Sequence, residues 1–183
     1  MKYILLIAFL FFVNPDTFAC SCIGTATTKE AFKGADVVFT GKVIEKKEIR
    51  EWVFDTVDAP MRYQAMKKQE PNNQETYSAF KRRSYTRPIY EFTFSIIKLY
   101  KGKSEESSFK VRTGTSGGDC GFPFQLNQDY LVYGRFAVEN NLYSHEIPNE
   151  ERKILKDIYQ TSICTKTTSL ANAKKQLKEL KKL

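Results

Sequence analysis

The sequence predicts a mainly β domain, an antiparallel sheet that curls on itself and closes into a barrel, with a C-terminal amphipathic helix. Three observations carry this expectation. β-rich segments with internal glycines follow one another along the chain, none shows the strand-helix-strand alternation of a parallel sheet, and the last segment keeps its apolar residues at helical spacing. Closure removes the exposed edges of so small a sheet, and a barrel does this more economically than a sandwich.

The chain opens with Lys2, continues through the apolar "YILLIAFLFFV" of Tyr3 to Val13, and turns polar at Asn14, Pro15 and Asp16. This is the pattern of a secretory signal peptide, and the apolar run is shorter than the about 20 residues a membrane-spanning helix needs. Thr17 and Ala19 supply small residues at alternate positions, so residues 1–19 read as a signal peptide cleaved after Ala19. A single domain, 20–183, then begins at Cys20 and is expected in the periplasm or outside the cell.

The first strand reads "DVVFTGKVIEKKEI" from Asp36, with Gly41 at a bend or bulge. The second, "IYEFTFSIIKLYKG", sets Tyr90, Phe92, Phe94 and Ile96 on one face and enters a turn at Lys101 and Gly102. In the third, "SSFKVRTGT", Phe109, Val111 and Thr113 share a side; the fourth is "DYLVYGRFAV", with Gly134 at its centre. A further short strand fits "NLYSHE" or the residues just before Cys164, while Ile154, Leu155 and Ile158 between them have a short helical spacing. The closing helix, at about 168–182, carries Leu170, Ala173, Leu177 and Leu180 on one stripe, with Thr167 or Thr168 to cap its start. Between the first two strands lies a polar insertion at about 50–87, whose centre, "KKQEPNNQE", reads as mobile. Trp52, Phe54, Met61 and Tyr63 give its first half material for folding back.

The formal net charge is +8, and loss of the signal peptide removes one cation, Lys2, and one anion, Asp16, leaving it unchanged. A basic surface favours acidic partners, although much of this charge lies in "KRR" at 81–83 and in the C-terminal "AKKQLKELKKL", where it reads as solvated. Enzymatic machinery is not legible: the chain has no phosphate loop ahead of a lysine and helix, no paired-histidine metal motif, no nucleophile elbow, and one histidine, His145. The expectation is a protein that is not an enzyme and uses no cofactor. "GTSGGDCG" at 114–121 leads into a cysteine rather than a helix, so it reads as a tight loop around a disulfide. The four cysteines, Cys20, Cys22, Cys120 and Cys164, are an even count in a chain read as exported, for which disulfides are the default and the spacing does not suit zinc.

Cysteines and strands together resemble the N-terminal inhibitory domain of the tissue inhibitors of metalloproteinases, within the netrin-like module family. The resemblance rests on "CSC" at the mature N-terminus, "ADVVFTGKV", "YEFTFSIIKLYKG", "CGFPFQLNQDYLVYG" and "CTKTTSLANA", and covers nearly the whole mature chain. It implies a five-stranded OB-like barrel with Cys20 bridged to Cys120 and Cys22 to Cys164. The chain lacks the cysteines for the third disulfide of the animal inhibitor domain and lacks its cysteine-rich second domain, which argues for a minimal version, bacterial in type.

The resemblance further implies a zinc metalloprotease as partner. The α-amino nitrogen and carbonyl oxygen of Cys20 would enter the enzyme's open zinc position as a chelate. The ordinary pKa of an α-amine, about 7.7 to 8.0, allows its deprotonation near neutral pH. Ser21 would enter the adjoining specificity pocket; Cys22, Ile23 and Gly24 would continue along the cleft, and Asp119, Gly121 and Phe122 would complete the contact ridge. The 50–87 insertion matches the place of the family's partner-contacting hairpin. The expected protein is a secreted monomer with no metal of its own, no nucleic-acid partner, and no membrane contact unless Cys20 is lipidated. Two other readings share these residues: a netrin-like module that binds protein or acidic glycan without inhibiting anything, and a lipoprotein acylated at Cys20.

Overall fold

In the computed structural model, residues 22, 24, 26–52, 57–103, 106–115, 117–138 and 154–183 are described. A short helix, α1 (Thr28–Gly34), precedes strand β1 (Val37–Trp52). Helices α2 (Ala59–Gln69) and α3 (Tyr77–Tyr85) lead to β2 (Thr86–Lys101), followed by β3 (Ser108–Thr113), β4 (Asp129–Val138) and β5 (Ile154–Gln160). A two-residue strand β6 (Thr168–Ser169), a 3-10 turn (Leu170–Asn172) and α4 (Lys174–Leu180) end the chain.

The fold is mainly β, and its strands form a ring. Pairing runs β1-β2-β3-β5-β4, and β4 returns to β1 with Val37 opposite Gly134 and Lys42 opposite Asp129. One ladder departs from the all-antiparallel expectation: β3 and β5 are parallel, Lys110 opposite Ile158. The long path between them, through β4, gives the chain length for the crossover that a parallel pair requires.

The interior of the ring is aromatic. Phe39, Phe94 and Phe109 are fully buried, with Phe39 edge-on to Phe94 at 5.5 Å and to Phe109 at 5.1 Å. Phe124 packs edge-on to Phe92, Phe94 and Tyr130, and Tyr159 closes the far side against Phe109 at 5.0 Å. Such edge-to-face pairs set the positive ring edge against the negative face, a gain of about 0.5–1.5 kcal/mol each beyond area burial.

A second apolar layer lies outside the ring. Val38, Leu131 and Tyr133 point outward and are covered by Ala35 and Ala31 near α1 and by Ala173, Leu177 and Leu180 of the C-terminal segment. This is why residues 37–41 and 130–134 are buried on both faces, each an unbroken run rather than an alternation. Gly41 marks the crossing point. Its register shift lets β1 bend, and a Cβ there would stand 2.8 Å from the Ser95 carbonyl and 3.0 Å from the Phe39 ring.

Three expectations require correction. Ile154, Leu155 and Ile158 lie in strand β5, not in a helix. Three apolar residues in so short a window cannot separate the two periods, and the slot between β3 and β4 selects the strand, with Tyr159 turned inward. The C-terminal helix is shorter than 168–182: Thr168 and Ser169 pair with Leu131 and Tyr130, and the helix proper starts at Lys174. Thr167 and Thr168 do not cap it; the Thr167 hydroxyl accepts from the Tyr133 amide at 3.0 Å. The polar insertion, whose structure the sequence leaves open, holds two helices. Ala59, Phe80 and Tyr85 form a small core of their own with Tyr63, Met66 and Tyr77 packed against it. At the turn read as mobile, the Tyr63 hydroxyl donates to the Glu75 carbonyl at 2.8 Å, and Arg83 makes a two-pronged contact with Glu75.

Candidate functional site: the cysteine-linked end of the ring

Helix α1 was not anticipated from the sequence, although Thr27 and Glu30 spell a capping box. The Glu30 amide donates to the Thr27 hydroxyl, and the Thr27 amide and hydroxyl donate to the Glu30 carboxylate at 2.7 and 2.8 Å. Those bonds stabilise the charged form and hold the Glu30 carboxyl below the usual carboxylate range. At the other end of α1, the Lys101 ammonium, half-buried and brought over by the end of β2, donates to the carbonyls of Phe32, Lys33 and Ala35. Orphan carbonyls at a helix end want a cation, and Lys101 supplies one from 66 residues beyond Ala35.

Ahead of α1, Cys22 is bridged to Cys164, with the Cα atoms 5.2 Å apart and the two residues 142 positions apart in sequence. Gly24 takes φ +73°, a left-handed conformation that glycine adopts without strain, and stands in open space. Cys164 follows β5 in the loop Thr161 to Thr165, which is fixed by hydroxyl contacts. The Thr161 hydroxyl donates to the Tyr133 carbonyl at 3.0 Å, and it lies 2.9 Å from those of Thr165 and Thr167.

Beside this loop sits the turn carrying Cys120, which is itself disulfide-bonded. The Ile163 amide donates to the Cys120 carbonyl at 3.0 Å, so the two cysteine-bearing loops are joined through their backbones. Asp119 organises the turn from within. Its carboxylate accepts from the Thr115 amide at 2.7 Å and the Gly121 amide at 3.2 Å, and lies where a Cβ on Gly114 would be, 2.2 Å from it. Gly121 is equally constrained, its Cβ position lying 2.2 Å from the Gly114 carbonyl oxygen. Cys120 adopts φ 58°, and the Phe122 amide is anchored on the Thr113 hydroxyl at 2.7 Å. The Phe122 ring turns to the core, against Phe124 and Tyr130.

Of the residues singled out in the sequence, Cys22, Cys164, Cys120, Asp119, Gly121 and Phe122 therefore share one end of the ring. Cys20, Ser21, Ile23 and His145 lie outside the described residues. Among the described residues no three His, Cys, Asp or Glu side chains are placed to hold a metal ion, and no helix is long and apolar enough to cross a membrane.

Behind the Cys22–Cys164 bridge opens a cleft of about 510 Å3, bounded by α1 and by the ends of β3, β4 and β5. Arg112, Arg135 and Lys166 line it, residues in which the sequence offers no signal of convergence because they come from three separate segments. The backbone of Tyr133 borders the same cleft through its bonds to Thr161 and Thr167, while its side chain packs under the helices. There its hydroxyl is buried without a hydrogen-bond partner among the described residues, and burial first, then the charges of Glu179 and Tyr100, push its pKa up to about 12. No family model matches the chain, and no curated protein matches it.

Proposed function

We propose that the chain is a secreted inhibitor of zinc metalloproteinases, similar to the N-terminal domain of the tissue inhibitors of metalloproteinases, which presents the amine and carbonyl of a mature N-terminal Cys20 to the target's zinc. The observation that carries this reading is the Cys22–Cys164 bridge, which fastens the chain two residues after Cys20 to a loop that is itself hydrogen-bonded to the Cys120 turn. Cys22 and Cys164 are engaged with each other and Cys120 is also disulfide-bonded, which supports Cys20 as its partner. Two bridges at residues one and three of a mature chain would turn a terminus that ordinarily frays into a rigid wedge.

The ring supports an OB-like, netrin-type barrel: five strands in a non-sequential order, closed by β1 against β4. In this reading Ser21 enters the pocket beside the zinc, and Cys22, Ile23 and Gly24 follow the cleft. Phe122 contributes through its backbone, since its ring belongs to the core. Asp119 shapes the ridge from inside, its carboxylate being directed at the backbone of its own turn. The helical hairpin α2–α3 stands where the family carries its variable contacting loop.

The test is a panel of zinc metalloproteinases assayed with the native mature protein and with a version carrying one extra alanine ahead of Cys20. Native protein should inhibit at least one member. The extended version should lose about a hundredfold or more, the scale of a central hot-spot contact. Equal inhibition by both would sink the chelation mechanism. The intact mass and N-terminal sequence of the exported protein separate this reading from the acylated one, because an acyl chain on Cys20 blocks the amine and leaves Cys120 without that partner.

A further inference from the structure

The cleft behind the Cys22–Cys164 bridge has an unbalanced electrostatic inventory. Three acids line it, and each is already engaged: Glu30 by Thr27, Glu51 by Arg87 at 3.3 Å, and Asp119 by the amides of Thr115 and Gly121. Four cations line it, and only Arg87, held by Glu51, is matched in the same way. Arg112, whose side chain is 20% exposed, donates only its Nε to Glu91, at 2.9 Å, and Glu91 is not part of the cleft wall. Its two Nη groups make no hydrogen bond among the described residues. Arg135 and Lys166 pair with no acid there either, and the Arg135 guanidinium lies over Gly34, 3.8 Å from where a Cβ would stand.

Volume and lining narrow the ligand. A cleft of about 510 Å3 falls within the range of small-molecule sites, roughly 300–1,000 Å3. One wall is nearly featureless, made by Ala31, Gly34 and Ala35 at α1, so it accepts a compact body without specific polar demands. The opposite wall offers guanidinium groups, which match oxyanions in geometry, and an ammonium. We infer that this cleft is a binding site for a small organic oxyanion, a carboxylate, sulfate or phosphate group on a body of about monosaccharide size, held by Arg112, Arg135 and Lys166. The site does not depend on the inhibitor reading, since it uses neither Cys20 nor the zinc.

The experiment measures thermal unfolding and backbone amide chemical shifts of the oxidised mature protein titrated with glucuronate, inorganic sulfate or inorganic phosphate. Potassium chloride at matched ionic strength removes the general screening effect. At least one oxyanion should raise the melting temperature saturably and shift the amides of Gly34, Thr161 and Lys166. The double variant Arg135→Gln/Lys166→Gln should weaken that binding about tenfold or more, the loss expected when charge-assisted hydrogen bonds are removed. The variant Lys174→Gln/Lys175→Gln, which removes the same charge from the exposed face of α4, should bind as the parent does. A response to glucuronate alone would assign a carboxylate ligand, and one to sulfate or phosphate alone a tetrahedral one. If no anion exceeds the chloride control, or if both double variants lose the response equally, the cleft is not an oxyanion site.

Discussion

Removal of the Lys101 ammonium should release α1 from the ring while leaving the ring itself folded. The substitution Lys101→Met keeps the apolar stem beside Phe32 and removes only the donors to the Phe32, Lys33 and Ala35 carbonyls. A hydrogen bond from a charged group contributes about 1.5–3 kcal/mol, and a cation at a helix C-terminus about 0.3–1 kcal/mol, more when partly buried. Because Lys101 is half-buried and three carbonyls share one ammonium, these do not add; about 2 kcal/mol is the expected loss. At 1.4 kcal/mol per tenfold, native-state hydrogen exchange of the Ala31 and Ala35 amides, which close α1, should accelerate about thirtyfold. Amides of β4 facing β1 should change far less, and Lys47→Met, on the exposed part of β1, should change neither. An increase below about threefold in α1, or an equal increase throughout the ring, would refute the clamp.

Other outcomes follow from the same geometry. The Tyr133 phenol titrates at about 12 in the folded protein against an ordinary value of 10, so between those pH values the unfolded chain releases a proton that the folded chain keeps. Stability associated with Tyr133 is therefore complete below pH 10 and falls as pH rises toward 12. Tyr133→Phe should flatten that alkaline decline in urea-unfolding midpoints and leave stability at neutral pH equal or higher, since the hydroxyl has no partner to lose among the described residues. Gly121→Ala should lower stability by about 1–3 kcal/mol, because its Cβ would meet the Gly114 carbonyl at 2.2 Å; an unchanged unfolding midpoint would show that the turn yields freely.

How far the sequence reveals this fold depends on whether local pattern or tertiary placement decides each element. Strand β4 is legible to the residue, because "DYLVYGRFAV" is β-rich throughout and bounded by polar turns. Strand β5 is not: "ILKDIYQ" carries too few apolar residues to set a period, and only the space between β3 and β4 makes it a strand. Leu170, Ala173, Leu177 and Leu180 do pack on one side, as their spacing predicts, yet the first turn of the expected helix goes to β6, because the Thr168 and Ser169 backbone has a strand edge to pair with. For the candidate site, the turn around Asp119 and Cys120 was foreshadowed by its glycines. The Lys101 clamp and the convergence of Arg112, Arg135 and Lys166 were invisible, since each depends on distances between segments far apart in sequence.

The Cys22–Cys164 bridge also has a consequence for biogenesis. Cys22 is the first described residue and Cys164 lies 142 positions further on, so a chain exported as proposed, N-terminus first, would present Cys22 and then Cys120 to an oxidising compartment long before Cys164 arrives. Pairing in order of emergence would give a wrong bridge. Strand β5, which completes the ring next to β3, arrives just as late, so no finished ring exists to guide the early thiols. An early non-native bridge would have to be resolved by thiol exchange, so refolding of the reduced protein should be markedly slower without a disulfide isomerase than with one.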